Sequence, residues 1–260
     1  MYADGFYSRD SLFKGTSNVG TDVVTLVLAV PLLCNATLAL RRGSRRGELL
    51  LLAIIAWFLY TYATYALSVA FNDLFLVYVA LFSASGFVLI LLIRSSDWDA
   101  VAARIADRAA RNASRLLIGS GALTAIVWLL PLIDALLSSE DPRWLDTSTT
   151  MVTDALDLAI ITPSALLGGV LLRRREPFGY VLAFPLIGLL VVLAPAIVAQ
   201  TVSQLNAGID YTPGEVIGPM AGFVVLGVIA VRCLIGLLAA FTQDGGQRLA
   251  RDTAVSRHVR

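Results

Sequence analysis

Asp146-Thr-Ser-Thr-Thr-Met-Val-Thr-Asp154-Ala-Leu-Asp157-Leu-Ala-Ile-Ile-Thr-Pro163, followed by an apolar run and Arg173-Arg174-Arg175, reads as a membrane-spanning helix with two carboxylates inside it. Asp154 and Asp157 are three residues apart and share one helix face. Thr150, Thr153 and Ser164 fall near that face, and Pro163 bends the helix below it. Carboxylates in hydrocarbon are expensive, so both are expected to face the protein interior or a water-filled cavity.

The rest of the chain fits this reading. Of its 260 residues 57% are hydrophobic and only 15% are charged, whereas soluble domains carry about a quarter charged residues. The apolar residues cluster into runs of roughly 20, the length a bilayer demands of a helix. The expected fold is all-α: a polytopic membrane protein with seven spans, its core made by helices packing on helices in lipid. The spans are expected at about 22–40, 49–70, 74–93, 116–137, the opening stretch, 179–200 and 213–241. Sixteen arginines fall in alternate connections and the tail, and three basic residues (Arg9, Lys14, Arg143) fall on the other side. By the positive-inside rule the N-terminus is expected outside and the C-terminus inside; the expected location is the cell (plasma) membrane, as a multi-pass protein. Residues 1–20 form an outer segment without signal-peptide character. Residues 242–260 form a cytoplasmic tail, and 1–241 the membrane domain.

Between the third and fourth spans, Ser95-Ser96-Asp97-Trp98-Asp99 is a helix start with caps and early acids. Apolar and arginine positions segregate after it, predicting an amphipathic helix over about 97–115 on the inner membrane surface. Phe71-Asn72-Asp73 is short enough to make spans 2 and 3 an antiparallel hairpin. Thr212-Pro213-Gly214-Glu215 matches a capping box, and Gly218 with Gly222 forms a GxxxG pair suited to close helix contact. No internal sequence repeat stands out by eye, although a 3+3 arrangement with one extra helix remains open.

The candidate substrate or ion site comprises Asp134, Asp154, Asp157, Arg232, Tyr62 and Tyr65. Arg232 lies within span 7, about 18 Å from Asp244, and Asp157 lies about 24 Å from Arg173, at roughly 1.5 Å per residue. Those depths predict an Arg232–Asp157 pair, with Asp154 or Asp134 as alternative partners. The bland reading is an ion pair that only fixes helix packing. Tyr60, Tyr62 and Tyr65 are either partners of the carboxylates or part of an interfacial aromatic belt. The outer side is rich in acids, which would concentrate cations.

Several chemistries are excluded. Retinal needs a lysine within a span, and the only lysine is Lys14 in the head. Histidine-ligated haem and histidine bases fail because His258 in the tail is the only histidine. Walker and Rossmann glycine patterns are missing, as are the nucleophile elbow and the Gly-x-Gly-Asp signature of intramembrane aspartyl proteases. Cys34 and Cys233 have neither disulfide nor metal spacing. No catalytic residue, metal or cofactor is therefore expected. The expected partners are the lipid bilayer and a small cation or polar solute; nothing suggests nucleic acid.

Gly20-Thr21-Asp22, Pro31-Leu32-Leu33, Phe75-Leu76-Val77-Tyr78 and Asp154-x-x-Asp157 through Pro163 resemble uncharacterised bacterial multi-pass integral membrane proteins, a group that lends no assigned function. The leading functional expectation is a small transporter or channel-like protein with a polar site on spans 4, 5 and 7. The alternative is a non-catalytic interaction or sensory protein whose buried charges lock the bundle; an intramembrane enzyme ranks last.

Overall fold

A computed structural model describes residues 5–142, 145, 148–211 and 213–241. Among them there is no strand, and seven helices are long and apolar enough to cross a membrane. In chain order the helices are α1 (Leu12–Arg41), α2 (Arg45–Ser68), α3 (Phe75–Ser95), the short α4 (Trp98–Arg104), α5 (Asp107–Ser138), α6 (Val152–Arg173), α7 (Pro177–Asn206) and α8 (Pro213–Ala239). The chain is an integral membrane protein of seven spans. One end of the bundle carries Arg41–Arg46, Arg94–Arg115 and Arg173–Arg175, and is called the arginine face below.

Two boundaries and one contact depart from expectation. α1 starts at Leu12, capped by Ser11, whose hydroxyl accepts from the Lys14 amide at 3.2 Å. Half of the supposed outer segment is therefore helix. The surface helix expected over 97–115 is two elements, because the chain turns extended at Ile105 and Ala106. Arg108, Arg111 and Arg115 belong to the first turns of α5. α4 is capped by Asp97, which accepts from the Ala100 amide at 3.0 Å. Its apolar side is buried in protein: Val101 and Ile105 are enclosed, and the Trp98 ring meets Phe184 at 6.5 Å. Arg175 fastens it by donating to the Ile105 carbonyl at 2.6 Å. Finally, a Cβ on Gly222 would touch nothing, so that half of the GxxxG pair makes no close contact. The capping box at 212–215, Gly218, the tail at 242–260 and the loop residues Arg143, Trp144 and Asp146 rest on residues or side chains outside those described.

α2 and α7 form the centre. α7 packs against α1, α2, α6 and α8, and α4 covers its first turns. At the crossing of the two central helices, a Cβ on Gly188 would collide with the Ala53 carbonyl, so glycine is required there for the backbones to touch. α3 lies chiefly on α2, and α5 lies on α6 and α8.

The chain contains an internal repeat, against the expectation of none. At a constant spacing of 132 residues, Thr21-Asp22, Pro31, Arg41-Arg42 and Gly47 recur as Thr153-Asp154, Pro163, Arg173-Arg174 and Gly179. The local structure recurs with them. α1 contains a π-helical turn at Thr25–Ala29 and α6 one at Asp157–Ile161. Each is followed by a proline at the second residue of the next α-helical segment. A proline removes an amide and crowds the carbonyl four residues back, and a widened turn relieves that crowding. The residues that close the two hairpins, Gly43 and Arg175, both have positive φ, 74° and 63°. Gly47 and Gly179 both press on the preceding helix: a Cβ would lie 2.5 Å from the Ala39 Cβ and 2.6 Å from the Leu172 amide nitrogen. The α1–α2 and α6–α7 hairpins are thus two copies of one unit running in the same direction. The contacts follow the same exchange, since the start of α1 packs on α7 and the start of α6 packs on α2.

Candidate functional site

Asp157 is the first residue of the second π turn. Its Oδ2 accepts from the Trp128 indole of α5 at 2.9 Å. The Tyr60 hydroxyl of α2 faces the same carboxylate. The carboxylate is therefore held by neutral donors from two other helices, α2 and α5. Three residues earlier, Asp154 is only 5% exposed. The cation whose charge acts on it is Lys14, in the first turn of α1. The Lys14 ammonium in turn donates to the Ser148 hydroxyl. Thr61 and Thr162, on the same two helices as Tyr60 and Asp157, are buried with hydroxyls that have no hydrogen-bond partner among the described residues.

The other expected members lie elsewhere. Asp134 is exposed on α5, one turn from its end at Ser138. Arg232 is exposed on α8 beside the buried Cys233 and makes no ion pair among the described residues. The pairing of Arg232 with Asp157 is not formed, nor is one with Asp154 or Asp134. Depth alone suggested it, but α8 packs chiefly on α7 and α5, and Arg232 is exposed rather than enclosed in the bundle. The side chains gathered at Asp157 come from spans 2, 4 and 5, and Arg232 of span 7 is not among them.

Tyr65 joins a different carboxylate, Asp22 of α1, and Tyr62 packs on the Tyr65 ring. The Tyr65 hydroxyl donates to Asp22 Oδ1 at 3.0 Å, and the Tyr7 hydroxyl donates to Asp22 Oδ2 at 2.6 Å. Tyr65 also reaches the Asn18 carbonyl at 3.0 Å. The rings form a packed group: Tyr65 stands edge-on to Tyr7, Tyr62 and Tyr78 at 6.2, 5.9 and 5.3 Å. Burial, followed by the neighbouring Tyr65 and Asp22, pushes the Tyr7 hydroxyl far above the ordinary phenol range, so it remains a donor. Nearby, Asp10 Oδ1 accepts from the Ala70 amide at 2.9 Å, tying the N-terminal segment to the α2–α3 turn. Burial pushes this carboxyl above its ordinary value of 3.8, opposed by the Ala70 amide and Lys14.

Trp128, Lys14 and Asp22 were missed as candidates. A signal for Asp22 existed, because Thr-Asp stands at 21–22 and again at 153–154. Trp128 and Lys14 had none, since a tryptophan in an apolar run reads as packing and a lone head lysine as solvated. Among the described residues no group of three or more histidine, cysteine, aspartate or glutamate side chains is placed to hold a metal. No protein-family model, curated protein or solved structure matches the chain.

Proposed function

We propose that the protein is a small transporter of the cell membrane, with Asp157 carrying an exchangeable proton or small cation. The arginine face is cytoplasmic in this reading, as the positive-inside rule requires. The observation that carries it is the Asp157 site itself: a carboxylate in a membrane-spanning helix, on a π turn, held among the described residues by an indole and a phenol. An ion pair would fix such a charge permanently; neutral donors can serve the carboxylate and still allow it to be neutralised. Two same-direction helical units also form the framework of some transporter folds, a likeness of architecture only. The unused Thr61 and Thr162 hydroxyls add polar capacity along α2 and α6.

The test is proton uptake by dye-loaded proteoliposomes after an acid pulse, compared with protein-free vesicles. The wild type should acidify the lumen faster, and Asp157→Asn should return the rate to that of empty vesicles. Infrared difference spectra between acid and neutral pH should contain a carboxylic-acid band that the same variant removes. Wild-type flux equal to empty vesicles, with no such band, would sink the reading and leave a packing role for Asp157.

A further inference from the structure

A cavity of about 410 Å³ lies at the arginine face between α1 and α8, remote from Asp157. Its walls are aliphatic side chains of α2, α7 and α8 together with Ala39 of α1. Its rim carries Asn35, Ser44 and Arg46. Asn35, Arg46 and Ile235 on this rim are exposed, so the cavity is a groove on the lipid-facing flank.

Arg46 and its neighbour Arg45 differ in one respect. Arg45 is neutralised by Glu48 at 2.7 Å. Arg46 makes no ion pair among the described residues and stands over an apolar trough with the Ser44 hydroxyl beside it.

The internal repeat supplies a control. At the equivalent positions of the second unit, Ala39 becomes Leu171, Asn35 becomes Leu167, Ser44 becomes Glu176 and Arg46 becomes Phe178. The second copy thus has bulk in place of the small wall residue, and an acid and a ring in place of the polar rim. The features that make a groove and those that attract an anion occur together, in one copy only.

We infer that this groove holds one acyl chain of an anionic phospholipid from the arginine-face leaflet, with its phosphate on Arg46 and Ser44. An aliphatic trough between two spans accepts a chain laterally from the bilayer. A guanidinium matches phosphate geometry and is more weakly hydrated than an ammonium. Basic pockets between spans are recognised headgroup sites. The site is independent of Asp157 and does not rest on the transport reading.

The test uses the full chain in detergent, titrated with phosphatidylglycerol or phosphatidylcholine and read by native mass spectrometry. The wild type should retain phosphatidylglycerol about tenfold better, equivalent to about 1.4 kcal/mol. Arg46→Gln should bring the two lipids level. Ala39→Leu copies the second unit, where Leu171 is already accommodated against Gly179, and should reduce adducts of both lipids without moving the unfolding temperature. Should it move, Ile235→Trp fills the trough from its exposed rim and decides the matter. Equal retention of both lipids by the wild type would overturn the inference. So would adducts indifferent to both groove-filling variants, or a dimer that either variant converts to monomer, which would assign the groove to a second copy of the chain.

Discussion

The π turn at Thr25 and the π turn at Asp157 occupy equivalent places in two copies of one helical hairpin, yet they are equipped differently. Thr25 is buried and its hydroxyl accepts from the Trp57 indole at 3.0 Å. Asp157 accepts from the Trp128 indole at 2.9 Å and has a tyrosine beside it. One copy meets an indole with a neutral hydroxyl, which completes packing. The other meets it with a carboxylate, which exceeds what packing requires. The tryptophans come from different helices: Trp57 from α2, inside the first unit, and Trp128 from α5, which lies outside the second unit and directly precedes it. The turn is common to both copies, and the charge is what distinguishes the second from the first.

If the units are structurally equivalent, their tightest points should fail alike. Gly47→Leu and Gly179→Leu each drive a side chain into the preceding helix, against Leu40 and Leu172 backbone atoms at 2.7 and 2.6 Å from the Cβ position. Backbone cannot yield as a side-chain tip can, so each change should lose more than about 4 kcal/mol, the range reserved for severe core damage. Thermal unfolding in detergent would register it. A severe loss at one glycine and tolerance at the other would break the equivalence.

Exchanging the residues that begin the π turns sharpens the comparison further. Thr25→Asp places a carboxylate where only the Trp57 indole waits, and should destabilise by about 3–5 kcal/mol, as an unpaired buried charge does. Asp157→Thr installs the neutral version and should lose about 1 kcal/mol or less, since a hydroxyl can accept from the Trp128 indole. Unfolding temperatures of the two variants should therefore differ widely. Equal losses would mean that Asp157 is a structural residue like its counterpart.

The all-helical, seven-span character was legible because it rests on run length and on the cost of unsatisfied backbone in lipid, both one-dimensional properties. Asp154 and Asp157 were legible for the same reason, as charges where hydrocarbon was expected. What failed was azimuth. Arg232 has a depth compatible with Asp157, but the direction of its side chain depends on which neighbours α8 adopts. Tyr62 and Tyr65 were placed on the right helix, yet Asp22 claims Tyr65, while Tyr60 serves Asp157. The seven-residue length of α4 was hidden because Asp107 starts a new helix within what reads as one amphipathic pattern.

The misplaced ion pair gives a smaller, clean effect. Arg232 and Asp157 are not in contact, so Asp157→Ala and Arg232→Ala should have additive effects, within about 0.5 kcal/mol, in the double variant. Chemical or thermal unfolding of the four proteins in the cycle measures it. A double variant markedly more stable than the sum predicts would restore the pair and pull α8 back towards the site.

The smallest effect concerns a feature of the first unit: the N-terminal segment tied down at Asp10. Burial raises the Asp10 carboxyl above 3.8, while the Ala70 amide and Lys14 lower it, with a net upward shift. A carboxyl raised in the folded state binds its proton more tightly folded than unfolded. Its contribution is therefore fully present below the unfolded value and is lost as pH rises through the folded one. The wild type should become slightly less stable between acid and weakly acidic pH, in the window just above the ordinary carboxylate value. Asp10→Asn keeps an acceptor for the Ala70 amide and removes the titration, so its profile should be flatter there. Because the group is only partly buried and solvent screens it, the difference should stay within about 0.5 kcal/mol. Unfolding temperature against pH for both proteins reads it directly. Parallel profiles across the window would mean that the charge on Asp10 does not act on folding and that its bond to Ala70 alone holds the segment.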